Sequence, residues 1–249
     1  MPIGDFYGIG IGPGDPELLT LKAARIIKAV DVIFVPKAGI KEESMALEIV
    51  TPLLMTKNDV VAAGFSLRNR PRVVEKVFPM VKDQEKLESH WKEAALAIKE
   101  ELEKGSNVAF LTIGDPLTFS TYVYLLRCLR DMIPEEKIHT IPGVTSFNAA
   151  ASLANLSLAQ RDERIAIVPV PDDVEELRPI LKGFDTVILM KVAKRLDKVI
   201  NLLEEMDLAH HALFASHVGL KDSYLTRNLS ELKGSGRGYM SIIIIRKKL

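Results

Sequence analysis

The sequence predicts an α/β protein of two domains, 1–142 and 143–249. Two observations predict it. Short apolar runs alternate with amphipathic stretches through the first 145 residues. Strands separated by helices need crossover connections, which build a parallel sheet with helices on both faces. Beyond Pro142-Gly143 the texture changes, and four more strand-like runs follow with two helical ones.

In chain order, residues 6–11 read as a strand and 17–29 as the helix after it. Residues 32–35 are strand, 44–55 helix and 60–63 strand. A long charged helix at 86–104 stops at Gly105, a residue suited to the left-handed turn that ends helices. Residues 108–112 are strand, 120–131 helix and 138–141 strand. In the second half, 165–168, 186–190, 212–217 and 239–246 read as strands, and 174–181 and 196–206 as helices. The last strand, through Ile242-Ile243-Ile244-Ile245, is apolar on both faces, so it is expected to be central or covered. Residues 66–89, charged and broken by Pro71 and Pro79, read as a long excursion suited to capping a site.

Composition excludes several classes. Lys plus Arg equals Asp plus Glu at 33 each, so the basic excess of a nucleic-acid binder is missing. Cys128 is the only cysteine, which rules out an intramolecular disulfide and a cysteine metal cluster, and its apolar setting suggests an inert thiol. The histidines His90, His139, His210, His211 and His217 lack metal-ligand spacing, so no metal site is expected. Asp162-Glu163 shows no identifiable partner. The N-terminus lacks the basic and apolar regions of a signal peptide, and no apolar run approaches the roughly 20 residues of a membrane span. A soluble cytoplasmic protein is the expectation.

Three segments carry the chemistry. In Gly8-Ile9-Gly10-Ile11-Gly12-Pro13-Gly14-Asp15-Pro16, glycines recur at every second position. Four exceed what one tight turn requires, which favours a ligand-facing loop. Asp15 suits a helix N-cap and Pro16 the first helical position. A dinucleotide fingerprint fails on spacing: Pro13 and Asp15 stand where its last glycine belongs, and a carboxylate there would repel a pyrophosphate. Gly114-Asp115-Pro116 repeats the turn after the strand at 108–112. Alone it reads equally as a plain turn. Paired with Gly14-Asp15-Pro16 at the carboxyl edge of one sheet, it makes a site. The third segment, Pro142-Gly143-Val144-Thr145-Ser146, has small residues that admit either a flat ligand or close packing. Arg68, Arg70 and Arg72 form either a solvated loop or an anion-binding one.

Together, residues 7–27, 111–121 and 141–151 resemble the three motifs of the tetrapyrrole methylase family, with Ile113 where some relatives have glycine. Phe78-Pro79-Met80, Asp162-Glu163-Arg164, Leu189-Met190-Lys191 and the closing Gly238-Tyr239 to Arg246 look like its C20-methylating branch. The resemblance implies two α/β domains, the second on a mixed sheet, with an active-site trough between them, in a homodimer. It implies S-adenosylmethionine as methyl donor, with S-adenosylhomocysteine as its product, and as substrate a corrinoid precursor, precorrin-2 or cobalt-factor II. Carried over by position, Pro13, Ile113, Gly114, Asp115, Thr118, Thr145, Ser146, Met190, Ser216 and Met240 would contact the cofactor. The substrate's carboxylates would meet Arg68, Arg70, Arg72 and Lys37, since guanidinium forks match carboxylates. A proton must leave C20 after methylation, and Asp115 is a candidate acceptor. Other members of the family, a uroporphyrinogen methyltransferase or a diphthine synthase acting on a protein, are the alternatives.

Overall fold

The computed structural model describes residues 2–39, 41–55, 71–78 and 84–248, with the side chains of Gln84 and Lys86 left aside. The chain divides into two compact units, Met1–Thr145 and Ser146–Leu249.

Among the described residues the first unit is built on five parallel strands: β1 (Phe6–Gly10), β2 (Val32–Lys37), β3 (Arg72–Val77), β4 (Val108–Thr112) and β5 (Ile138–Ile141). Their spatial order is β3-β2-β4-β1-β5. The central β4 is buried along its whole length, as an apolar run with helices on both faces must be. On one face, α3 (Gln84–Glu103) and α4 (Tyr122–Arg130) pack Trp91, Ile98, Leu102, Leu125 and Leu129 against Phe6, Phe34 and Phe110. On the other, α1 (Leu21–Ala29) and α2 (Met45–Met55) bury Ala23, Ile27, Ala46, Ile49 and Val50.

Two expectations change here. The helix expected at 17–29 is split: Asp15 caps a 3₁₀ turn, Pro16–Leu18, and α1 begins afresh under its own cap, Thr20, whose hydroxyl accepts from the Ala23 amide at 3.1 Å. The excursion read over 66–89 contains β3 and the start of α3. β3 is an edge strand, and its Arg72, Glu75 and Lys76 are the charges edge strands carry against unwanted pairing. The strand expected at 60–63 lies outside the described residues.

The second unit opens with α5 (Ser146–Leu153) and carries a mixed sheet: β6 (Ile165–Pro169), β7 (Thr186–Met190), β8 (Ala212–Ser216), β9 (Tyr224–Thr226) and β10 (Ser241–Arg246). The order is β6-β7-β10-β8-β9, with β6 and β7 parallel and the other pairs antiparallel. β10 is central and buried at every residue, as its isoleucine run requires. Helices α6 (Leu177–Gly183) and α7 (Leu196–Glu205) cover one face with Leu177, Leu181, Val199, Ile200 and Leu203. The nearly buried Arg246 at the end of β10 donates to the Ser157 carbonyl at 3.0 Å and to Glu163 at 2.6 Å. Glu163 therefore has a partner, 83 residues away in the chain, that no local reading of Asp162-Glu163 supplies.

Candidate active site

In the first unit the three motif segments meet at the carboxyl edge of the parallel sheet. Gly12 and Gly114 pair backbone to backbone: the Gly114 amide donates to the Gly12 carbonyl at 2.7 Å and receives a longer return bond at 3.4 Å. A Cβ on Gly143 would stand 2.2 Å from the Gly114 carbonyl oxygen, and one on Gly10 would stand 2.6 Å from the same atom. Only hydrogen fits at either position, so three chain segments touch where side chains would hold them apart.

This changes what the glycines mean. Gly8 is required because a Cβ there would lie 2.0 Å from the Tyr122 ring, and Gly10 is required by Gly143 and Gly114. Packing thus accounts for glycines that the sequence reading assigned to a ligand. Gly114 is the exception. It has φ +73°, and nothing lies within 4 Å of where its Cβ would stand. Its backbone faces open space, the surface a ligand held by main-chain groups needs.

The two Gly-Asp-Pro turns are the same device on different strands. The Asp15 carboxylate accepts from the Glu17 amide at 2.8 Å, and Asp115 accepts from the Leu117 amide at 2.9 Å. Asp115 does more. Its Oδ1 also accepts from the Thr118 hydroxyl at 3.3 Å, and its Oδ2 from the Gly143 amide at 3.2 Å. Both oxygens are engaged in tying the second segment to the third, so Asp115 serves as a brace and is badly placed to take a proton. Below it, the Thr112 and Ser120 hydroxyls lie 2.8 Å apart, and buried Tyr122 reaches the Thr140 hydroxyl at 2.7 Å. Burial pushes the Tyr122 phenol up, against the opposing effect of that hydrogen bond.

The other first-unit candidates divide. Pro13 is buried, while Ile113, Thr118 and Thr145 are half-buried on the same segments. Leu117 and Phe119, inside the 111–121 motif but not among its expected contacts, expose apolar surface on the second segment, and Phe119 holds φ +54°. Lys37 ends β2 on this carboxyl edge and pairs with Glu75 at 2.8 Å. Arg72 begins β3 at the opposite edge, paired with Glu101 at 2.6 Å, and is not brought to Lys37. Arg68 and Arg70 lie outside the described residues. Cys128, half-buried on α4, has its thiol pushed up by burial, which disfavours the reactive thiolate.

In the second unit Ser146 is the first residue of α5. Met190 and Ser216 end β7 and β8, and Met240 precedes β10. Because β10 runs antiparallel between them, all three come to one edge of the sheet. Four residues other than glycine hold left-handed φ there: Lys191, Ala193, His217 and Met240. That conformation costs about 1 kcal/mol or more per residue and persists only where surrounding bonds impose it. The bonds are visible: the His217 amide donates to the Met240 carbonyl at 3.1 Å and the Ala193 amide to the Gly238 carbonyl at 2.8 Å. A Cβ on Gly238 would lie 1.9 Å from the Ala193 carbonyl oxygen.

Among the described residues no group of three or more His, Cys, Asp or Glu could hold a metal ion, and no helix is long and apolar enough to cross a membrane.

The chain is 32% identical to the cobalt-precorrin-2 C(20)-methyltransferase of Salmonella typhimurium, covering 98% of this chain and 97% of that one. It is 35% identical to the probable cobalt-precorrin-2 C(20)-methyltransferase of Methanocaldococcus jannaschii, over 81% and 77% of the two chains. Among solved structures, a cobalt precorrin-4 methyltransferase superposes with TM-score 0.68 at 18% identity, covering 97% of this chain and 94% of that one. Uroporphyrin-III C-methyltransferase from Thermus thermophilus, complexed with S-adenosylhomocysteine, gives TM-score 0.63 at 23% identity over 98% of both chains. The family model for tetrapyrrole (corrin/porphyrin) methylases matches residues 5–233, and the chain belongs to that family.

Proposed function

We propose that this chain methylates C20 of precorrin-2 or its cobalt-bearing form, in cobalamin biosynthesis, with S-adenosylmethionine as donor. The observation that carries the reading is the likeness, along nearly the whole chain, to a C20-methylating relative. The geometry within each unit agrees with it. The open backbone at Gly114, beside the Thr118 hydroxyl, suits a cofactor held through main-chain groups. Met190, Ser216 and Met240, gathered at one edge of the second unit's sheet, are the further cofactor contacts that the family resemblance implies.

When bound, S-adenosylmethionine provides a methyl group activated by a sulfonium. The chain's own work is to bind and orient. Asp115 fixes the second and third segments in register, so that Thr118, Thr145 and the Gly114 backbone present one rigid surface. Positioning reactants in line at near-attack distance supplies much of the acceleration in such transfers. Leu117 and Phe119 give that surface an apolar flank, which favours a reaction that discharges a cation. Lys37 on the same edge is a contact for substrate carboxylates, with Arg68 and Arg70 as further ones. A cytoplasmic homodimer is the setting that the family resemblance supports.

The test is an anaerobic assay with S-adenosylmethionine, offering metal-free precorrin-2 and its cobalt form separately. One added methyl, mapped to C20 on either substrate, is expected, and the substrate accepted settles the metal preference. Methylation of neither, with S-adenosylhomocysteine still bound, moves the protein to another acceptor within its family.

A further inference from the structure

Four of the described strands lie at sheet edges, and three of them are protected. β3 carries Arg72, Glu75 and Lys76. β5 has His139 against the Asp5 carboxylate at 3.2 Å, and Lys137, just before it, reaches the same carboxylate at 3.3 Å. β9 is only three residues long. The fourth, β6, reads Ile165-Ala166-Ile167-Val168-Pro169 and carries no charge. Ala166 and Val168 turn into the core beneath α6 and α7, so Ile165 and Ile167 share the opposite face, where they are 38% and 40% exposed. An apolar edge of this kind is a template for a further strand.

The backbone is open along the same edge. The Arg164 carbonyl accepts from the Thr186 amide at 3.2 Å, and the Val170 amide donates to the Met190 carbonyl at 2.9 Å. Even-numbered residues along β6 therefore face β7, and the amides and carbonyls of Ile165 and Ile167 point away from the sheet. Pro169 has no amide to offer and ends the run.

We infer that this edge pairs with the β6 of a second copy of the chain, antiparallel across a twofold axis, so that two mixed sheets become one. The inference names the surface of the homodimer proposed above and rests on that reading. Self-complementarity favours a second copy over an unrelated strand. Antiparallel pairing sets Ile165 of each copy opposite Ile167 of the other, and each such pair exchanges both of its backbone hydrogen bonds. Charge matches as well. Exposed Arg161 and Arg164 lie before β6, and exposed Asp172 and Asp173 after it. Of the neighbouring charges, Glu163 is taken by Arg246, Asp162 acts on Lys248, and Asp172 also meets Arg195. An antiparallel copy brings the basic start of each strand to the acidic end of the other, whereas a parallel one would stack like charges. Such an isologous pair is closed, and it consumes both open edges.

The test is sedimentation equilibrium on the full chain. Wild type is expected to be a dimer at micromolar concentration. Ile167→Lys is expected to raise the dissociation constant by about 30-fold or more, since it puts a charge at the centre of the contact. Its circular dichroism should match wild type, because position 167 is exposed in the single copy. Register is tested by mixing Ile165→Cys with Ile167→Cys, each in a Cys128→Ala background. Directly opposed Cα atoms about 5.5 Å apart are within disulfide reach. Mild oxidation is expected to crosslink the mixture and to crosslink either variant alone far less. If Ile167→Lys does not fold, the mixture decides. A monomeric wild type overturns the surface together with the homodimer reading. A wild-type dimer that survives Ile167→Lys, or that crosslinks no better in the mixture than alone, overturns the surface and leaves the homodimer reading standing.

Discussion

The two candidate edges solve one problem in opposite ways. In the first unit, backbones approach through Gly10, Gly114 and Gly143, residues for which close contact costs little steric energy. In the second, Lys191, Ala193, His217 and Met240 hold left-handed φ with side chains in place, and only Gly238 relieves the crowding. One edge is assembled by omitting side chains and the other by straining the chain that bears them. A glycine-built edge should therefore be intolerant of added atoms, while a strained edge should gain stability when side chains are removed.

The sharpest way to break this comparison is Gly143→Ala. With a would-be Cβ 2.2 Å from a backbone oxygen, the variant should lose about 3 kcal/mol of stability, read by urea denaturation. An unaffected midpoint would mean that the three segments are not locked. Arg246→Ala tests whether the second unit depends on its buried cation, and a loss of about 3 kcal/mol is expected because Glu163 loses its cationic partner and the Ser157 carbonyl its donor. Asp115→Ala removes three accepted hydrogen bonds and should cost about 2 kcal/mol. It should also weaken S-adenosylhomocysteine binding in calorimetry, whereas an unchanged affinity would separate the brace from the cofactor surface. Ala193→Gly runs the other way: relief at φ +40° should raise the thermal midpoint, a gain of about 0.5 kcal/mol after the glycine's added unfolded-state freedom.

The smallest effect concerns acid. The Arg164 amide, and then Lys248, hold the half-buried Asp185 carboxyl down from 3.8 to about 2. A carboxyl depressed in the fold stabilises it above the ordinary pKa, and that contribution fades as pH falls toward 2. Asp185→Asn should therefore flatten the stability profile between about pH 4 and pH 2 and leave neutral behaviour nearly unchanged.

These contrasts also explain what could be read from the sequence. Gly10, Gly114-Asp115-Pro116 and Pro142-Gly143 announce the first edge because glycine, proline and aspartate carry local backbone instructions. Even so, Gly8 was charged to a ligand when it serves Tyr122, since a ring from α4 is invisible to local spacing. Nothing in Met190-Lys191-Val192-Ala193 announces left-handed backbone; tertiary hydrogen bonds impose it. β3 was hidden because an edge strand with Arg72, Glu75 and Lys76 looks like a charged loop, and β9 because three residues carry too little pattern. Leu117 and Phe119 gave no signal as a pair, since isolated exposed apolar residues are common on any surface.

The central place of β10 has a consequence for how the chain is made. It is the last strand in chain order, yet it lies between β7 and β8. Until it emerges from the ribosome, those two strands have no shared partner, and each presents a bare, apolar edge open to foreign strands. The described strands of the first unit's parallel sheet, by contrast, all precede residue 142. The second half of the protein is thus at its most aggregation-prone just before synthesis reaches Ser241, and that interval is when a chaperone would have most to protect.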